Sequence, residues 1–383
     1  MRGSVWALGV ALVAVAVAAT AAWAGPAPIR IGVQGPISGQ WAYEGEGFVR
    51  AITLLADQIN AQGGLLGGRR IELAIGDDQG DAAQAAVVAQ RLVTQGVVAV
   101  VGSYASSQTE PASAIYNDFG IVHITPSSTA TRLSQKGYKR FFRTAFLDDR
   151  QGLFAAEFIT KTLYRDRVAL IHDNTTYAAG LADWTRRYLQ ERGATVVFYD
   201  AITPGERDFT ATLTRVKAAN PEVIYFTGYF PEGGLLVKQA KSLGIVSIFM
   251  AGNAVNNPEY VKIAGVSAAK GSIITSEPLP GDLPYPEARQ FIEDYRKRWG
   301  EAPGSIWTLM AADAFRVIVE AITRTGSTDP ARIADYLHTQ LKDFPGVTGP
   351  ILGFDEKGDR LGTIHKAYIV NDRGEFVPFA SGL

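Results

Sequence analysis

From Pro28 onward, short runs of β-branched and aliphatic residues alternate with longer stretches in which apolar residues recur every three or four positions. The first pattern fits buried strands and the second the inward stripe of an amphipathic helix. Ile29 to Gln34 therefore reads as a strand. Phe48, Ala51, Ile52, Leu55, Ala56 and Ile59 then share one face of a helix that Gly63-Gly64 can end, because glycine takes the left-handed cap conformation without strain. Further strands are predicted at Ile71–Ile75, Val97–Val101 and Ile121–Thr125, with helices near Asp81–Gln95 and Thr109–Asp118. Their runs are too continuously apolar for a sheet wet on one face, so a doubly wound parallel sheet is implied.

The alternation restarts at Arg167. Strands are predicted near Val168–His172, Val196–Tyr199, Val223–Thr227 and Ile248–Ala251, and helices at Gly180–Glu191, Phe209–Ala219 and Gly233–Leu243. Two similar α/β halves leave a cleft between them, and in open parallel sheets a ligand sits beyond the carboxyl ends of the strands. From about Gly271 the pattern offers helices at Ile306–Thr325 and near Pro330–Leu341. It also offers a hairpin of Ile351–Phe354 and His365–Val370 around Asp355-Glu356-Lys357-Gly358-Asp359. These pieces are expected to complete both lobes by crossing back. The first lobe then comprises residues 28–147 and 277–354, and the second 148–276 and 355–383.

Composition narrows the class. The chain has 383 residues, 47% hydrophobic and 20% charged, enough to bury the cores of two domains. A formal charge of -1 and a pI near 6.5, with no basic tract, disfavour nucleic acid as a partner. Met1-Arg2, an apolar run from Val5 to Ala22 and Ala22-Trp23-Ala24 before Gly25 have the form of a cleaved secretory signal over residues 1–24, an uncleaved anchor being the alternative. The absence of cysteine excludes disulfides, thiolate chemistry and a lipid-accepting Cys. Export without such an anchor points to a periplasm.

Candidate chemistry lies just after the strands. Gly102-Ser103-Tyr104-Ala105-Ser106-Ser107-Gln108-Thr109 opens a helix expected near Glu110-Pro111, where hydroxyls and free backbone N–H groups suit a carboxylate. Plain N-capping by Ser107 or Thr109 is the alternative. Pro126-Ser127-Ser128-Thr129 brings a second hydroxyl-rich loop beside it. In the other half Asp173-Asn174-Thr175-Thr176-Tyr177, Gly228-Tyr229-Phe230 and Gly252-Asn253 offer aromatic and amide groups to the facing wall. No nucleophile elbow, phosphate loop or H-E-x-x-H helix is present. His123, His172, His338 and His365 are scattered, and Asp77, Asp78 and Asp81 miss the calcium-loop spacing. Neither catalysis nor a metal or other cofactor is expected.

These segments resemble the periplasmic leucine/isoleucine/valine-binding proteins of branched-chain amino-acid ABC transporters. The resemblance rests on IRIGVQGPISG, INAQGGLLGGRRIEL, DDQGDAAQA, SSQTEPASAIYNDFGI, TPSSTATRLSQKGY, RTAFLDDRQG, ALIHDNTTYAAGLA, FYDAITPGERDFTATLTRVK, YFTGYFPEGG and FDEKGD, in order over nearly the whole chain after the leader. It implies two Rossmann-like lobes joined by three crossovers, closing on a hydrophobic amino acid and docking on an inner-membrane permease. By position, Ser106 resembles the residue that takes the ligand carboxylate, with Ser127 and Thr129 as partners in the next loop. Tyr177 is similar to the aromatic that closes over the ligand, Tyr229 holds another cleft position, and Tyr43 resembles the first-lobe aromatic flanking the ligand side chain. Asn253 stands where the amino-acid binders carry a Glu that pairs with the α-ammonium. A neutral amide cannot neutralise an ammonium, and a buried unpaired charge is costly. Two ligand classes therefore remain open: a hydrophobic amino acid, or an amine-free aromatic or aliphatic acid or short amide. A periplasmic ligand sensor is the alternative role.

Overall fold

The computed structural model describes residues 26–380, so the expected leader lies outside the described residues. Its first sheet is built from β1 (Ile29–Gly35), β2 (Ile71–Asp77), β3 (Ala99–Val101), β4 (Val122–Thr125) and β5 (Phe141–Arg143), in the order β2-β1-β3-β4-β5. All its pairings are parallel. The connections are α1 (Ala42–Ala61), α2 (Ala82–Thr94) and α3 (Ser106–Asp118). Ile29, Ile31 and Val33 of β1, Val100 and Val101 of β3 and Val122 and Ile124 of β4 are buried, as a sheet covered on both faces requires.

The second sheet contains β6 (Arg167–His172), β7 (Thr195–Ala201), β8 (Val223–Thr227), β9 (Ile248–Ala251), β10 (Ile273–Ser276), β11 (Lys366–Val370) and β12 (Phe376–Pro378), ordered β12-β11-β10-β9-β8-β6-β7. β11 runs antiparallel to both neighbours, and the remaining pairings are parallel. The helices of this half are α4 (Asp148–Glu157), α5 (Thr176–Glu191), α6 (Thr210–Ala219), α7 (Phe230–Ser242), α8 (Pro258–Ala264) and α9 (Val266–Ala269). The chain then returns to the first sheet with α10 (Pro286–Trp299), α11 (Ile306–Thr325) and α12 (Pro330–Thr339). Ser305 caps α11 by accepting a hydrogen bond from the Trp307 N–H at 3.2 Å. Residues around its whole first three turns, Ile306 to Phe315, are buried, which makes it the central helix between α1 and the first sheet.

Three expectations are corrected. The hairpin at 351–370 does not form. Phe354 makes a single antiparallel bridge to Arg360, and β11 pairs with β10 instead. The physical reason is a buried ion pair between Asp359 and Arg143, which draws the returning arm alongside β5. The same pairing keeps the 355–360 turn with the first sheet, whereas residues from 355 onward were assigned to the second lobe. Finally, α3 begins at Ser106, earlier than the Glu110-Pro111 start, and neither Ser107 nor Thr109 caps it. Elements β5, β10, β12, α4, α8, α9 and α10 were not anticipated.

Candidate functional site

The strand ends of β3 and β4 and the segment after β5 converge on the interface between the lobes. At the start of α3 the N–H groups of Ser106 and Ser107 belong to the first turn and lack an intrahelical acceptor. The Ser106 hydroxyl accepts from the Ala130 N–H at 3.3 Å, tying the helix start to the next loop. Ser127 donates to the Tyr104 carbonyl at 2.7 Å, and the Thr109 and Ser128 hydroxyls lie 2.7 Å apart. Beneath this loop the fully buried Arg143 donates to the carbonyls of Ser128 at 2.9 Å and Ala130 at 3.0 Å. Its charge is balanced by Asp359. Arg143 therefore holds the hydroxyl loop from behind, and Ser106, Ser127 and Thr129 are brought together on one buried wall.

On the facing wall Tyr177 and Tyr229 are buried, with ring centroids 5.5 Å apart. The Tyr177 hydroxyl donates to Asn253 Oδ1 at 2.8 Å. A side chain at Gly252 would collide with that hydroxyl, so the position after β9 has room for glycine only. Burial pushes the phenols of Tyr104, Tyr177 and Tyr229 well above their ordinary range, and all three stay protonated donors.

Tyr43 is not part of this cluster. It is 36% exposed, and its hydroxyl packs against Gly304 near Pro258. Trp41 occupies the aromatic position instead, 4.3 Å from the Tyr229 ring and 5.9 Å from Tyr104. The two residues are adjacent in pattern, and α1 begins at Ala42 just after Trp41, so the helix turn sends Trp41 inward and Tyr43 outward.

Two buried carboxylates escaped the sequence reading. Asp148, the first residue of α4, is fully buried, and neither of its oxygens makes a well-formed hydrogen bond. Burial raises it to about 7, partly offset by the Thr129 hydroxyl and the Arg143 guanidinium. Its N–H donates to the Thr129 carbonyl at 3.1 Å, which sets it against the hydroxyl loop, and its charge raises the phenols of both Tyr177 and Tyr229. Glu277, immediately after β10, is likewise buried and accepts from Asn253 Nδ2 at 3.2 Å. Asp148 lies inside the quoted RTAFLDDRQG stretch, and Glu277 obeys the strand-end rule that found Asn253. The unrecognised β10 hid it. The wall that Asn253 leaves neutral is thus flanked by acidic groups.

The lobes meet through direct hydrogen bonds. Asn257 Nδ2 donates to Glu44 Oε1 at 2.7 Å, the Thr176 N–H to Ser107 Oγ at 3.1 Å, and Trp184 Nε1 to Thr131 Oγ1 at 3.3 Å. A groove of about 420 Å³ lined by Arg132, Asn174, Thr176 and Asp183 marks the mouth. Two histidines are buried in the lobes: His123 bonds the Gly102 carbonyl and burial lowers it to about 4, while His172 Nδ1 accepts from the Asn174 N–H at 3.1 Å. Among the described residues no group of three or more His, Asp or Glu side chains is placed to hold a metal ion.

Two α/β lobes closed over a cleft of strand-end hydroxyls, aromatic rings and buried carboxylates define a two-lobed solute-binding protein. A model of the periplasmic binding protein family matches residues 28–372, and the chain belongs to that family. A leucine-, isoleucine-, valine-, threonine- and alanine-binding protein of Pseudomonas aeruginosa is 38% identical over 333 residues, 86% of this chain and 87% of the relative. A crystal structure of a leucine binding protein from Thermotoga maritima superposes with a TM-score of 0.86 at 30% identity, covering 92% of this chain and 98% of that one. A branched-chain amino acid transporter substrate binding protein from Streptococcus pneumoniae, in complex with isoleucine, gives a TM-score of 0.82 at 31% identity, covering 91% and 97%. Among the described residues no helix is long and apolar enough to cross a membrane.

Proposed function

We propose that this chain is the substrate-binding component of an ABC importer, taking a hydrophobic or branched-chain amino acid from the periplasm and presenting it to an inner-membrane permease. It performs no chemistry on its ligand. The observation that carries the ligand class is the pairing of opposite polarities across one cleft. The free N–H groups at the start of α3 and the Ser106 hydroxyl, whose proton is uncommitted, suit a carboxylate, and the buried Asp148 suits an ammonium. An amine-free acid would leave Asp148 and Glu277 uncompensated in the closed cleft, which disfavours it. Trp41, Tyr104 and Tyr229 supply the apolar surface for a branched side chain.

Closure of the lobes buries the solute, and the closed shape is what a permease reads, so affinity reports the closed population. Thermal-shift and calorimetric titration with leucine, isoleucine and valine test the proposal. Saturating leucine is expected to stabilise the protein by about 4 kcal/mol at a thousandfold excess over Kd. Absence of stabilisation by all three amino acids contradicts it.

A further inference from the structure

Tyr177, Asn253 and Glu277 form a single file of hydrogen bonds running from the cleft into the second lobe. The Tyr177 hydroxyl donates to Asn253 Oδ1 at 2.8 Å, and Asn253 Nδ2 faces Glu277 Oε2 at 3.2 Å and Oε1 at 3.4 Å. All three side chains are buried. The file exists because β9 and β10 are neighbours, with Met250 opposite Ile273 and Ala251 opposite Ile274, so the residues following the two strands emerge side by side. Beyond Glu277 stands His365, whose Nε2 is 3.7 Å from Glu277 Oε1. Burial lowers His365 to about 4, so it is neutral at physiological pH. The Arg360 guanidinium acts on Glu277 only through its charge, and its own hydrogen bonds go to Thr144, Thr348, Gly349 and Pro350.

The direction of this file follows from donor counting. Ionised Glu277 only accepts, so in that state the amide NH2 faces Glu277 and the amide oxygen faces Tyr177. A phenol has one proton, and Tyr177 commits it to that oxygen. What remains of the Tyr177 hydroxyl is acceptor capacity only, shared with the Ala254 backbone N–H. We propose that Glu277 is a positioning residue for ligand selection: by fixing the Asn253 amide it makes Tyr177 an acceptor, so that this wall favours a ligand N–H, such as an ammonium, and disfavours a carboxylate or hydroxyl acceptor. The inference rests on the reading that an amino-acid ammonium lies on the Asp148 side of the cleft. It also gives a role to the neutral residue at 253, which transmits the polarity that a charge there would have supplied directly.

The test compares affinities for leucine and for 4-methylpentanoate, the same skeleton without the amine, by calorimetry on the full mature protein. Glu277→Gln lets the amide turn over, frees the Tyr177 proton for an acceptor, and is expected to lower the leucine preference about tenfold or more. Tyr177→Phe is expected to lower it similarly, and the double variant E277Q/Y177F no further than Y177F alone. Asn253→Ala severs the file while keeping the Glu277 charge and is expected to match Y177F; it serves also if E277Q does not fold. A leucine preference held within about twofold by E277Q or N253A overturns the inference. So does an E277Q effect that persists undiminished in the Y177F background, since that marks a through-space charge effect. Failure of the unmodified protein to prefer leucine overturns the amino-acid reading itself, a result visible before any variant is made.

Discussion

The two walls of the cleft solve opposite problems with opposite means. The first-lobe wall presents backbone amides at the start of α3 and the hydroxyls of Ser106, Ser127 and Thr129, neutral donors whose loop is braced from behind by Arg143 and its partner Asp359. The facing side carries the rings of Tyr177 and Tyr229 and the buried Glu277 behind Asn253, and the buried Asp148 stands between the two walls, without a cation in contact. The donors cost the fold little, because the Ser106 and Ser127 hydroxyls have protein partners. The carboxylates are kept at a cost to stability, which is the mark of groups retained for a ligand.

That contrast is sharpest at Asp148. Asp148→Asn is expected to weaken leucine binding by about 2–5 kcal/mol, as when one partner of a buried charge pair is removed. The ligand-free variant should melt above the parent, since an uncompensated charge has gone. Calorimetry and thermal denaturation on the same sample check both signs, and a variant that loses affinity and stability together breaks the comparison. On the other wall Ser106→Ala should weaken carboxylate binding by about 1–3 kcal/mol with little change in melting, measured in the same way.

Protonation separates the walls further. Burial raises Asp148 and Glu277 to about 7, above the ordinary carboxylate value. Such a group stabilises the ligand-free fold fully below its unfolded pKa, and that contribution is lost as pH rises through about 7. A bound ammonium favours the ionised form and draws Asp148 back down. Leucine binding near pH 7 should therefore release protons, and affinity should rise as pH climbs from about 6 to 8. Binding enthalpies in buffers of different ionisation heat give the proton count. Zero release removes Asp148 from the ammonium side. The smallest effect is expected at Tyr43, which faces Gly304: Tyr43→Phe should leave leucine affinity within about 0.5 kcal/mol, while Trp41→Ala lowers it by more than 1 kcal/mol.

The legibility of the two walls in the sequence differed for the same physical reason. The hydroxyl wall is made of contiguous loops after β3 and β4, strands whose apolar runs announce themselves, so both hydroxyl-rich loops could be read locally, while Ser106, Ser127 and Thr129 were singled out by the family resemblance. The acidic side is assembled across 105 to 129 positions, from Asp148 beside the crossover to Asn253 and Glu277. No local pattern joins them. β5 and β10 are as short as β3 and β4, but Phe141–Arg143 ends on arginine and Ile273–Ser276 on Thr-Ser, so neither reads as an apolar run, and with β10 went Glu277. The failed hairpin at Asp355–Asp359 shows the reverse case: the turn residues were read correctly, but the buried Arg143–Asp359 pair decided where the arm went. Tyr43 and Trp41 differ by two positions, too fine a distinction before the start of α1 is known.

The central claim is the orientation of the ligand between the walls, and a crystal structure of the protein with leucine tests it most directly. The account places the leucine carboxylate on the Ser106 and Ser127 side and its nitrogen within hydrogen-bond distance of Asp148. A ligand bound the other way round, or a nitrogen that touches neither Asp148 nor Tyr177, would contradict it.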